Sequence, residues 1–275
     1  MMSMIRAGAG EPVLLLHGFS LSHHMWHAVV DDLAADHDVA AITMPGHWGG
    51  PRLRLRDVGV AGLADGIERE LDAIGWDTCH VVGCSLGGQL AFELERRGRA
   101  RSLAPINPAG GWKRFSMTEF RLGLGFIGQF PLAAVARLRG DRAARSERFQ
   151  RPIIRNCSTD VTAVSADDAT NVVRAVSHCP IYLPMQLACL RDGPLTDDDI
   201  RAVTAPMTLI LSEFDTFLTR DGCMRRLLDG LPDHVEEVVL PGVGHIPTLE
   251  NPALVAEAVR DHVRRATTLT APAFR

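Results

Sequence analysis

The chain has 275 residues, 46% hydrophobic and 23% charged, and a folded chain of this size buries roughly three quarters of the surface its unfolded form exposes. That core excludes disulfide mini-proteins, disordered tails and fibrous repeats. Lysine and arginine total 29 against 33 acidic residues, a formal net charge of -4, so no global positive field exists to hold a nucleic acid.

The first ten residues carry one charge, Arg6, and no apolar stretch of the kind a secretory signal requires, so a cytoplasmic location is expected. Pro12 to Leu16 is a short apolar run ending in His17-Gly18, and Val39 to Thr43 is another, ending in Met44-Pro45-Gly46. Both read as buried strands closed by loops. Cys79 to Cys84, Ser102 to Ile106 and Pro206 to Leu211 repeat the pattern, and the more polar Val235 to Leu240 reads as a strand nearer an edge. Helical stretches lie between them. Leu86 to Arg97 is one; the apolar positions 254, 255, 258, 259 and 263 mark another, with Asn251-Pro252 as its N-cap and first residue. Strand and helix in alternation mean an α/β fold with a mostly parallel sheet flanked by helices.

The alternation breaks between Trp112 and Arg201, where helical patterns continue without a convincing strand. This is expected to be a helical lid, residues 112–201, inserted into a core formed by 1–111 and 202–275. Its charge is polarised. Lys113 to Arg155 holds ten basic residues against Glu119, Asp141 and Glu147, whereas Asn156 to Ile200 holds seven aspartates against Arg174 and Arg191. These faces are expected to be solvated or to pair with each other, each pair contributing at most about 1 kcal/mol. The basic half could instead recruit an acidic carrier partner. Leu122 to Ala136 and Ala175 to Leu190 are uncharged but fall short of the roughly 20 apolar residues that span a bilayer.

Gly83-Cys84-Ser85-Leu86-Gly87 fits G-x-S-x-G, follows the strand His80-Val81-Val82 and opens a helix. Small residues on both sides permit the strained turn that lifts a serine hydroxyl out of a sheet. Ser85 would need a base and a carboxylate to orient it, and both residue types end later strands: Ser212-Glu213-Phe214-Asp215 and Pro241-Gly242-Val243-Gly244-His245. Cys84, beside the apex, is expected to point into the sheet. His23 and His27 stand at i, i+4, but no third ligand is evident and no metal is expected. The six cysteines form no C-x-x-C pair and read as free thiols.

In these features the sequence resembles the α/β-hydrolase superfamily. The resemblance rests on His17-Gly18-Phe19, Pro45-Gly46-His47, the Ser85 turn, Glu213-Phe214-Asp215, and Gly244-His245 leading into the last helix. It implies Ser85 as nucleophile, His245 as general base and acid, and Asp215 as the orienting carboxylate. The backbone N–H groups of Phe19 and Leu86 would form the oxyanion hole. No cofactor is implied. Two departures stand out. The loop after the second predicted strand lacks the aspartate and G-x-G of many relatives, and only Met4 to Ala9 is available for an opening strand pair, so about seven strands are expected. Trp48, Asn107, Trp112, Phe115, Tyr182, Phe217 and Ile246 flank the loop ends and are candidates to line a substrate pocket. The implied reaction is hydrolysis of a small or medium apolar carboxylic ester or lactone. The alternatives are a thioesterase or carbon–carbon bond hydrolase of the same fold, or a ligand-binding receptor. Haloalkane dehalogenases and epoxide hydrolases are disfavoured because those relatives place a carboxylate where this chain has Ser85.

Overall fold

The computed structural model describes residues 4–270; Met1 to Ser3 and 271–275, included in the expected core, lie outside the described residues. Seven strands form one sheet: β1 (Met4–Ala7), β2 (Glu11–Leu16), β3 (His37–Ile42), β4 (Cys79–Cys84), β5 (Ala100–Ile106), β6 (Thr208–Ser212) and β7 (Glu236–Leu240). Their order is β1-β3-β2-β4-β5-β6-β7. Only the pairing of β1 with β3 is antiparallel; the other ladders are parallel. The expected α/β class and strand number are thus found, with one short opening strand, β1.

Burial follows from position in this order. Every residue of β4 is buried, because β4 lies between β2 and β5 and helices cover both faces. At the far edge, β7 exposes Glu236 and Glu237, and charge on an edge strand discourages pairing with another chain. Helices α1 (His27–Leu33), α2 (Val60–Ile74) and α3 (Leu86–Arg96) precede β5. Six more lie between β5 and β6: α4 (Met117–Arg139), α5 (Asp141–Ala144), α6 (Glu147–Ile154), α7 (Ala166–Ser177), α8 (Tyr182–Asp192) and α9 (Asp197–Arg201). No strand interrupts them among the described residues. Helices α10 (Arg225–Gly230) and α11 (Pro252–Thr270) are the last two among the described residues. Asn251 caps α11 as expected, its side-chain oxygen accepting from the Leu254 amide at 3.1 Å. Val255, Val259 and Val263 then face the core, each contributing about 1.5–3 kcal/mol by burial.

Beneath the sheet, at the end opposite the loops that carry Ser85 and His245, a largely buried polar chain ties four strands, β2, β4, β5 and β6, to α11. His80 contacts Glu11 at 2.6 Å and Ser102 at 2.7 Å; Ser102 contacts His262 at 2.8 Å, and His262 contacts Thr208 at 2.8 Å. Each member satisfies a neighbour that burial would otherwise leave unpaired.

Candidate active site

Ser85 sits at the junction of β4 and α3 with φ 54° and ψ -112°, a strained conformation for a residue with a side chain. Two glycines make room for it. A Cβ on Gly83 would lie 2.1 Å from the Gly87 carbonyl oxygen, and one on Gly87 would lie 2.3 Å from that of Leu16. The turn directs the Ser85 hydroxyl toward His245, whose Nε2 is 3.1 Å away, while His245 Nδ1 lies 2.7 Å from Asp215 Oδ2. All three expected residues therefore meet in one hydrogen-bonded row, although they come from loops after β4, β6 and β7.

Asp215 is anchored on its other oxygen, which accepts from the backbone amides of Phe217 at 2.8 Å and Leu218 at 2.7 Å. Burial would push this carboxyl up, but the His245 charge and hydrogen bond, with the two amides, outweigh it and hold the carboxyl below its usual range. Next to Ser85, Cys84 is fully buried with its thiol directed at the His245 carbonyl, 3.7 Å away, under the histidine loop rather than into the sheet, and burial pushes it well above the ordinary thiol range. Burial thus disfavours the thiolate that a nucleophilic cysteine would need.

The Leu86 amide is the first of α3, where helix N–H groups lack intrahelical partners. Neither it nor the Phe19 amide donates to another backbone or side-chain group among the described residues. His17 fixes the Phe19 loop. Its Nε2 accepts from the Met44 amide at 2.9 Å, so its Nδ1 carries the proton donated to the Gly18 carbonyl at 2.7 Å. Burial holds His17 well below the usual histidine range and lowers His47, in edge contact with it, to about 4. Both are neutral struts.

Two chambers meet at Ser85. The larger encloses about 1050 Å³ of empty space, counting its open mouth, and is walled by Phe19, Leu86, Trp112, Phe126, Met185 and Phe217 among others. Its lining includes Gln89, Glu119 and Gln186 but no arginine, lysine or histidine. The smaller, about 470 Å³, adjoins His245 and Ile246 and carries Gln129 and Asn156. Phe126, in edge contact with both Phe19 and Phe217, stands between them.

Of the expected pocket residues, Trp112 and Phe217 line the larger chamber and Ile246 the smaller. Tyr182 is buried behind the wall, tilted against Phe19, with its hydroxyl donating to the Phe126 carbonyl at 3.1 Å. Tyr182 therefore lines neither chamber, and it and the remaining three require correction. Asn107 is buried: its amide nitrogen donates to Ser212 at 2.8 Å and the His245 carbonyl at 2.9 Å, and its oxygen accepts from the Ser212 amide at 2.8 Å. It has become a staple between β5, β6 and the histidine loop. Trp48 packs on His24 outside either chamber. Phe115 projects into solvent beneath the Arg114 guanidinium, 5.0 Å from its ring centroid. Sequence reasoning missed Phe126, Gln129 and Asn156, because nothing local distinguishes them from other residues between β5 and β6. No cluster of three or more potential metal ligands occurs among the described residues.

A parallel sheet with a serine at a strained turn after its central strand, and an acid and a histidine on later loops, defines a class of enzymes. The sequence matches the Alpha/beta hydrolase family over residues 13–258, and the chain belongs to that family. It is 38% identical over 203 residues to a protein named epoxide hydrolase from Mycobacterium tuberculosis, covering 74% of this chain and 94% of that one. It is 26% identical over 268 residues to the pimeloyl-[acyl-carrier protein] methyl ester esterase of Aeromonas hydrophila, covering 95% and 98%. A thermophilic esterase from Thermogutta terrifontis superposes with a TM-score of 0.74 at 21% identity, covering 96% and 93% of the two chains; that likeness speaks for the fold alone.

Proposed function

We propose that the protein hydrolyses a small or medium apolar carboxylic ester or lactone through an acyl-enzyme on Ser85, beneath a lid formed by residues 112–201. The observation that carries this reading is the row Ser85, His245, Asp215, with its hydroxyl end at the wall of an apolar chamber. As Ser85 Oγ attacks the carbonyl carbon, its proton passes to His245 Nε2. The amides of Leu86 and Phe19 receive the developing oxyanion, each worth about 3 kcal/mol to the transition state. Collapse breaks the bond to the alkoxy oxygen, which leaves as the alcohol with the proton from His245. Water then attacks the acyl carbon, gives a proton to His245, and releases the acid as Ser85 recovers its own. Asp215 keeps the imidazole in the tautomer that accepts at Nε2.

The lining of the larger chamber weighs against a carbon–carbon bond hydrolase. Delocalising a carbon leaving group calls for polar side chains that grip a carboxylate or enolate, and no cationic side chain lines that chamber. Of the two relatives compared above, one is an esterase by name and one an epoxide hydrolase. For an epoxide the nucleophile's chemistry decides. A carboxylate opening the ring forms an ester that water can cleave, whereas a serine hydroxyl would form an ether that it cannot. The second reading, favoured by the 38% identity, therefore leaves Ser85 as a bystander while His245 activates water directly against the ring.

Ser85→Ala separates the two. The ester reading predicts that turnover of a p-nitrophenyl acyl ester falls about 10³-fold or more, with no hydration of an aryl epoxide by either protein. Epoxide hydration that survives the substitution would establish the second reading.

A further inference from the structure

We propose that the outer face of α4 and α8 docks onto a lipid bilayer bearing anionic headgroups, with the mouth of the larger chamber at the contact. Met117, Phe120, Leu124, Ile127, Val135 and Leu138 recur along α4 at helical spacing, and all are exposed. Alongside, α8 exposes Leu183, Leu187 and Leu190 at i, i+4 and i+7, and the two helices touch through Tyr182 and Phe130. Such a stripe ordinarily faces a core; here two adjoining helices turn theirs outward. Phe120, Leu124, Ile127 and Leu190 also line the larger chamber, so it opens through the stripe. Beside the N-terminal end of α4, Phe115 is 82% exposed, an aromatic ring in the position of an interfacial anchor.

Charge selects the occupant. The ten basic residues between Lys113 and Arg155 face only three acidic ones in the same segment, and among the described residues none pairs with an aspartate of the following half. Among the described residues, the ion pairs formed within 112–201 are Arg151 with Glu147, Arg174 with Asp141 and Arg191 with Asp192. Arg137, Arg142 and Arg145, around the C-terminal end of the stripe, have no ion-pair partner there. A second copy in a symmetric contact would set this positive face against itself. An acidic protein would answer the arginines but leave the stripe in water. A bilayer answers both, taking apolar side chains into the acyl boundary and arginines among phosphates.

The test is sedimentation of the full chain with vesicles of phosphatidylcholine, alone or containing about one quarter phosphatidylglycerol. It uses the Ser85→Ala background, so that binding is read apart from hydrolysis. Anionic vesicles should bind about tenfold more tightly than neutral ones at physiological salt. The triple variant Met117→Gln, Leu138→Gln, Leu187→Gln alters positions 68%, 88% and 70% exposed and outside both chambers. It should lose about tenfold on either vesicle while, with Ser85 restored, turning over a soluble ester as the parent does. Arg137→Gln, Arg142→Gln, Arg145→Gln should lose only the anionic preference. Failure of the parent to bind vesicles, or binding unmoved by the apolar triple variant, would overturn the proposal. So would a stripe-dependent dimer, or salt-sensitive capture of an acidic acyl carrier, in the absence of vesicle binding.

Discussion

Asp215 does two jobs at once, and they can be separated. Its Oδ1 braces the loop through the Phe217 and Leu218 amides, and its Oδ2 orients His245. Asp215→Asn keeps an oxygen for the amides but presents an N–H to the imidazole, forcing the wrong tautomer. Ester turnover should fall about 10⁴-fold with little change in melting temperature. Glu213, two residues earlier and exposed, accepts only from the Gly242 amide; Glu213→Gln retains that acceptor and should leave kcat within about a factor of two, since surface changes away from such features are usually small. Comparing kcat for the two variants checks the assignment, and a reversed ranking would refute it. Ser85, Asp215 and His245 were legible because each ends a strand in a recognisable phrase. Asn107 was not: it also follows a strand, and only the fold reveals that its partners, Ser212 and His245, lie 105 and 138 positions away. Asn107→Ala should cost on the order of 2–4 kcal/mol in denaturant unfolding, because it strands the Ser212 amide and the His245 carbonyl. No loss of stability would contradict the staple.

At the scale of elements, the strands were readable because buried parallel strands are continuous apolar runs bounded by Gly and Pro. Boundaries moved by one or two residues, as for Pro206 to Leu211 against β6 at Thr208–Ser212. The helices between β5 and β6 were legible as helices, but not in orientation. The period along α4 is the same whether its apolar side meets a core or solvent, and it is Ala133 and Ala136 that are buried. Glycine substitutions discriminate the elbow from this helix. Gly87→Ala drives a methyl into the Leu16 carbonyl and should abolish activity and lower stability, since the crowding atom is backbone. Gly125→Ala on α4, with nothing near its missing Cβ, should stabilise by about 0.5–1 kcal/mol through helix propensity. Thermal melts of the pair test this; equal effects would contradict the packing of the turn.

Across the whole molecule, burial keeps several histidines neutral. Desolvation lowers His23 and His47 to about 4 and His262 to about 3. The unfolded chain binds protons at these sites near pH 6.5, whereas the folded one refuses them until far lower. Stability is therefore full above about pH 6.5 and decays as pH falls toward 4, by roughly 1 kcal/mol per unit for each fully buried site. Asp215 and Glu11, both lowered, act in the same sense further into acid. Denaturant midpoints at pH 7.5, 6 and 5 should fall in order; a profile flat to pH 4.5 would show these histidines to be solvated. The claim on which the account turns is the covalent intermediate. Intact-mass spectrometry of a rapidly quenched reaction with a p-nitrophenyl acyl ester tests it most directly. The prediction is a mass gain of one acyl group, mapped by peptide analysis to Ser85 and missing from Ser85→Ala. Turnover with no adduct under conditions that accumulate it, or an adduct mapped to another residue, would contradict the account.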